Sequence, residues 1–146
     1  MEKVYLDSAA TTQMRPEVIT KITEVMQENY GNPSSTHSFG RSAKSLIERA
    51  RKTIAKQLNV TAAEIIFTSG GTEADNLALN SAVRDLGVRR IITSEIEHHA
   101  VLYCVNQLKD CFDIEVEYVK LTAEGEVDLE DLGNRLEHSD VKTLVS

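Results

Sequence analysis

Short apolar runs alternate with stretches of helical periodicity along this chain, and that alternation limits the fold more than any single residue does. Ile65-Ile66-Phe67-Thr68, Arg90-Ile91-Ile92-Thr93, Glu115-Val116-Glu117-Tyr118-Val119 and Val141-Lys142-Thr143-Leu144-Val145 read as strands. Residues 72–86 and 98–110 read as helices between them, and Asp128 caps a third through about Glu137. Strands that alternate with helices of this length imply βαβ crossovers and a mainly parallel sheet. Such a sheet is covered on both faces, so its strands are short and apolar. The expected architecture is therefore α/β and three-layered.

The first sixty residues follow a different pattern. Val4-Tyr5-Leu6 predicts a short extended segment. Pro16 suits the first turn of a helix, where its missing N–H costs nothing. Val18, Ile19, Ile22, Val25 and Met26 follow at helical spacing and predict one buried face, ending near Asn29. Residues 31–40 are dense in turn formers and read as a loop. A helix over 41–58 sets Ala43, Leu46, Ile47, Ala50, Ile54 and Leu58 on one side. Thr61-Ala62-Ala63-Glu64 has the capping-box pattern.

Length and charge exclude several classes. The 146 residues suit one domain, read here as an arm over 1–14 and an incomplete domain over 15–146. Sixteen basic and 23 acidic residues give a net charge of −7. Nucleic-acid binding wants a basic surface, as does docking on an anionic membrane. No apolar run approaches the ~20 residues of a membrane span. Two cysteines, Cys104 and Cys111, are too few for a disulfide scaffold and point to the cytoplasm. The last residue, Ser146, directly follows an apolar strand, which predicts a piece cut from a longer protein.

Two stretches carry chemistry. In Thr68-Ser69-Gly70-Gly71-Thr72-Glu73-Ala74-Asp75-Asn76 a predicted strand ends, two glycines turn the chain and a helix starts. Glycine permits positive φ and close approach of a ligand. The first N–H groups of a helix lack internal partners and attract an anion such as phosphate. Here the Thr72 hydroxyl adds a donor. The alternative is a plain turn that binds nothing. Neither a Walker loop nor the dinucleotide Gly-x-Gly-x-x-Gly spacing is present. In Ser94-Glu95-Ile96-Glu97-His98-His99-Ala100 a histidine pair falls after the next strand, on the same edge of the sheet. An imidazole there can stack on a flat cofactor, and an exposed or merely packed pair is the competing reading. A metal site is disfavoured, because adjacent histidines diverge by about 100° on a helix, and no spaced Cys or His completes a ligand set.

Together with Tyr5-Leu6-Asp7-Ser8-Ala9-Ala10-Thr11-Thr12 and Tyr30-Gly31-Asn32-Pro33-Ser34-Ser35-Thr36-His37-Ser38-Phe39-Gly40-Arg41, these stretches resemble the N-terminal portion of a cysteine desulfurase, in the class V aminotransferase group of pyridoxal-phosphate enzymes. The four motifs run in the family's order over nearly the whole chain. The resemblance implies part of the large, cofactor-binding domain of a fold-type I enzyme. It implies pyridoxal 5'-phosphate as cofactor, its phosphate on Gly71 and Thr72 and its ring under His98, which also assists proton transfers. His99 is a bystander in that scheme, while Asn32 and His37 lie toward the substrate.

The implied reaction takes L-cysteine to L-alanine. A lysine holds the cofactor as a Schiff base, and an enzyme cysteine accepts the sulfur as a persulfide. The partners would be a sulfur-acceptor protein, in iron–sulfur cluster assembly for example, and a second copy in a homodimer. None of the eight lysines stands in the family's Ser-x-His context, and Cys104 and Cys111 read as small apolar residues rather than sulfur acceptors. The segment alone is therefore expected to be inactive. A related class V aminotransferase, a selenocysteine lyase, or a non-catalytic phosphate-binding α/β module are the alternatives.

Overall fold

The computed structural model describes residues 3–137 and 140–146. The chain divides by its contacts into two compact units, one up to Ile66 and one from Phe67 to Ser146. The first holds α1 (Pro16–Glu28), α2 (Ser38–Leu58) and a 3-10 turn over Ala62–Glu64. The second holds α3 (Gly71–Arg84), β1 (Arg90–Thr93), α4 (His99–Cys111), β2 (Glu115–Tyr118), α5 (Leu129–Glu137) and β3 (Thr143–Val145).

In the first unit, local chemistry sets each boundary. Pro16 opens α1, and Asn59 closes α2 in the left-handed conformation at φ 56°. The Glu64 carboxylate accepts from the Thr61 N–H at 2.8 Å and from its hydroxyl at 2.7 Å, completing the predicted capping box. The loop before α2 is pinched shut by two glycines. A Cβ on Gly31 would strike the Phe39 backbone, and one on Gly40 would strike the carbonyl oxygens of Asn32 and Ser35. One expectation fails here. The face of Val18, Ile19, Ile22, Val25 and Met26 is not buried, and α1 has no buried residue. Amphipathic spacing marks a face able to pack, but burial needs a second surface, and α2 itself buries only Gly40, Ala43 and Ala55. Val4–Leu6 lies in neither helix nor strand, and the Tyr5 hydroxyl donates to the carbonyls of Asp7 and Thr11.

The second unit is built on a parallel sheet of order β2-β1-β3. Ile91 pairs with Val116 on one side and Leu144 on the other. These three face Leu79, Val83, Val101, Cys104, Val105 and Leu108 of α3 and α4, which form the core. The opposite face carries Arg90, Glu117 and Thr143, since successive strand residues alternate. Here a set of polar contacts joins α5 to the sheet. Arg90 donates to the Thr143 hydroxyl (2.9 Å), to Glu117 (3.3 Å) and to the Arg135 carbonyl (3.2 Å). Arg135 bridges Glu117 at 2.5 Å and Asp131 at 2.6 Å. Helix, sheet and helix give the three layers expected. Asp128 caps α5 as predicted, accepting from the N–H groups of Glu130 and Asp131.

The run Ile65–Thr68 is not a strand. Ile66 and Phe67 are exposed, and β2 and β3 each pair only with β1 among the described residues. An apolar run becomes a strand only when a neighbour completes its hydrogen bonds. The sequence also did not disclose the small antiparallel bridge Leu121–Val127, which turns through Gly125 at φ 83°.

Two predictions follow from these contacts. Gly133 sits inside α5 with open space around it, so Gly133→Ala raises stability by about 0.4–1 kcal/mol. Gly40→Ala forces backbone apart and lowers it by about 1–3 kcal/mol, both read from urea unfolding. The Arg135 guanidinium, with the Lys120 N–H, holds the Asp131 carboxyl at about 2 instead of 3.8. A depressed folded pKa stabilises above the unfolded value and is lost as pH falls through the folded one. The wild-type unfolding midpoint will therefore drop more steeply between pH 4 and 2 than that of Asp131→Asn.

Candidate functional site

The doubled glycine opens α3 without any side-chain cap. Gly70 is fully extended at φ 170°, so the positive φ anticipated for this turn is not used. Neither Gly70 nor Gly71 has any atom within 4 Å of the place a Cβ would occupy. The chain's own packing therefore does not require glycine here. What the two residues leave is open approach to the N–H groups of Gly71, Thr72 and Glu73, the unpaired donors of the first helical turn. Glu73 would oppose an anion at this point, but its carboxylate is engaged by the Ser69 N–H and hydroxyl, both at 2.6 Å. Those bonds hold its carboxyl below the ordinary range.

The second stretch starts α4. His98 is its N-cap, in extended conformation, and its Nδ1 accepts from the Ala100 N–H at 3.1 Å. A nitrogen that accepts carries no proton, so the neutral ring has its hydrogen on Nε2. His99 lies in the first turn and stacks on Tyr103, ring centroids 5.3 Å apart and 13° from parallel. His98 is thus tied to the backbone, whereas His99 is tied to a neighbouring ring.

The structure brings the two starts together. The Asn76 amide donates to the Thr72 carbonyl at 2.8 Å and to the Ala100 carbonyl at 3.4 Å. One turn on, the Asn80 amide donates to the Asn76 carbonyl at 2.8 Å and to Cys104 Sγ at 3.4 Å. Matched contacts in the same order along both helices mean that α3 and α4 run parallel with their N-termini adjacent. The site sits where β1 ends, at the carboxyl edge that open α/β sheets use for ligands. The Thr93 hydroxyl there is buried without a hydrogen-bond partner among the described residues.

Asn76 closes the glycine-turn motif, but the sequence assigned no role to it or to Asn80. Their signal was available: two amides at i and i+4 in the stripe that holds Leu79 and Val83, where apolar residues are the rule. The Ser69–Glu73 capping pair was likewise missed. Asn32 and His37 belong to the first unit. The Asn32 Oδ1 accepts from the Ser34 N–H at 2.9 Å and shapes the loop. His37 is the N-cap position of α2, makes no capping bond and packs edge-on to Phe39. Both are exposed. Among the described residues no group of three or more His, Cys, Asp or Glu is arranged to hold a metal.

The cysteines differ in kind. Cys104 is buried in the core, and burial pushes its thiol pKa up, with Asp75 adding to the rise against the Asn80 hydrogen bond. A thiol that resists ionisation is a poor nucleophile. Cys111, at the end of α4, is exposed. Iodoacetamide will alkylate Cys111 in the native chain and Cys104 only after unfolding, which peptide mass analysis reads directly.

Comparison with known proteins identifies the family. The family described as aminotransferase class-V matches residues 4–145. The cysteine desulfurase IscS of Dictyoglomus turgidum is 45% identical over 136 residues, covering 92% of this chain and 34% of that protein. The selenocysteine lyase of Xenopus laevis is 41% identical over 145 residues, covering 89% and 34%. A solved NifS-like protein superposes with a TM-score of 0.84 at 37% identity, over 99% of this chain and 39% of that one. The chain thus spans about a third of the length of the curated relatives it matches. Matched along nearly all of its length, it belongs to the class V aminotransferase family.

Proposed function

We propose that this chain is the N-terminal segment of a pyridoxal-phosphate-dependent cysteine desulfurase, with residues 1–14 as an arm and 15–146 as part of the large cofactor-binding domain. One observation carries the reading. The uncapped start of α3 and the start of α4 that bears His98 lie side by side, joined through Asn76. In this reading Gly71 and Thr72 hold the cofactor phosphate through main-chain N–H groups and the Thr72 hydroxyl. His98 covers the ring and offers its Nε2 proton toward it. When bound, pyridoxal phosphate supplies an electron sink for charge developing on the amino-acid substrate. Asn32 and His37 belong to the substrate side.

The whole protein converts L-cysteine to L-alanine. The Cβ–S bond of the substrate breaks, and the sulfur passes to a cysteine thiolate of the longer chain as a persulfide. Cys104 is not that acceptor, given its burial. The 146 residues alone are inactive, because no lysine here stands in the family's Schiff-base context. We further assign the parent to a cytoplasmic homodimer that hands sulfur to an acceptor protein, as in iron–sulfur cluster assembly. The acidic balance fits neither nucleic acid nor an anionic membrane as partner. No helix among the described residues is long and apolar enough to cross a membrane. The similarity to a selenocysteine lyase favours one second reading, the same cofactor site serving selenocysteine.

Titration with pyridoxal phosphate, followed by the amide resonances of Gly71 and Thr72, tests the cofactor site. Both will shift, Thr72→Ala will weaken the response, and unmoved amides would remove the reading. Borohydride will trap no unique lysine adduct in this chain. In the longer protein His98→Ala will abolish alanine release from cysteine, and Cys104→Ala will retain most of it. Undiminished turnover by the His98 variant would overturn the assignment.

A further inference from the structure

One hydrogen-bonded path joins the two halves of this site, and nothing in the cofactor reading requires it. It runs from the Thr72 carbonyl to the Asn76 amide, from there to the Ala100 carbonyl, and across the helical Ala100 residue to its own N–H, which meets His98 Nδ1. We propose that Asn76 is the positioning residue that couples the glycine turn to the tautomer and orientation of the His98 ring. The inference rests on the reading of Gly71–Thr72 and His98 as one site.

The chemistry supports a specific role for the amide. A carboxamide nitrogen has two hydrogens and can serve two carbonyls at once. The Asn76 nitrogen serves one on its own helix and one on the next. Aspartate, of the same shape, has no hydrogen to give either carbonyl. Leucine would pack but leave both carbonyls unlinked. Ala100 is the hinge of the path, because the peptide after its Cα is held at the carbonyl by Asn76 while the peptide before its Cα gives the N–H that holds the imidazole. When that N–H points at Nδ1, the neutral ring is confined to the tautomer protonated on Nε2. When it does not, both tautomers become accessible and the ring can rotate. Asn80 makes the analogous contact to Cys104 one turn deeper, away from the peptide that holds His98. The two amides therefore separate helix packing from site positioning.

Nitrogen-15 spectra of the cofactor-free chain test this, and they succeed or fail independently of the pyridoxal-phosphate titration. Wild type is expected to show the single-tautomer pattern for His98, with the proton on Nε2. Asn76→Ala will lose that pattern, moving both ring nitrogens toward the averaged value, and will also shift the Gly71 and Thr72 amides. Asn80→Ala will leave the His98 pattern in place even if it lowers the unfolding midpoint by a similar amount. The proposal is overturned if Asn76→Ala keeps the wild-type imidazole pattern, or if Asn80→Ala disturbs it equally. Should Asn76→Ala not fold, wild type alone decides: a proton on Nδ1, or free averaging between tautomers at a pH where the ring is neutral, refutes the path.

Discussion

Everything in the second unit hangs on the burial of β1. All four of its residues are shielded from water, and it is the only described strand with partners on both sides. Ile91 and Ile92 point to opposite faces, and neither retains any exposed surface. A fully buried side chain of this size stabilises by about 1.5–3 kcal/mol relative to exposure. The central strand also fixes direction. Because both neighbours run parallel to it, the loops after the strands collect at one edge, and α4 must start there. The place of His98 is a consequence of that topology, and its ring orientation is a consequence of capping.

The two faces of this sheet solve different problems. Toward α3 and α4 the contacts are apolar and interchangeable in kind. Toward α5 the fully buried Ile92 is joined by an ionic, directional set built from Arg90, Glu117, Arg135 and Asp131. Of these charges only Arg90 is buried, and ion pairs that keep some contact with water add little net stability. The network therefore acts less as an adhesive than as a key. It accepts α5 in one register against the strands, which a uniform apolar face would not enforce.

The helices and their caps were legible because their determinants are local. Pro16, the Thr61–Glu64 pair and Asp128 did what their positions implied. The sheet was legible where a run had neighbours, as at Arg90–Thr93, and misread at Ile65–Thr68, where pairing and not composition decides. The face of α1 was identified correctly as apolar and wrongly as buried, since periodicity says nothing of the opposing surface. Residue type and spacing marked the Gly70-Gly71-Thr72 turn and the His98-His99 pair, and the choice of His98 within the pair came from the family resemblance. Asn76 did not stand out, because an amide inside an apolar stripe reads as an imperfection until its two carbonyl partners are seen. The reason for the glycines changed as well: openness, rather than an unusual backbone angle, is what they contribute.

Arg90 has a consequence for the order in which this chain takes shape. It belongs to the central strand, yet its satisfying groups come from Glu117, from Arg135 and from Thr143, spread over the following fifty-odd residues. During synthesis the apolar half of the unit can collapse as soon as α4 and β2 have left the ribosome. The guanidinium is then stranded at the far side with a single carboxylate for company. Only when the stretch through Thr143 emerges does the cation find its full set of acceptors. The cation of the central strand is thus satisfied in full only by a chain that runs through Thr143.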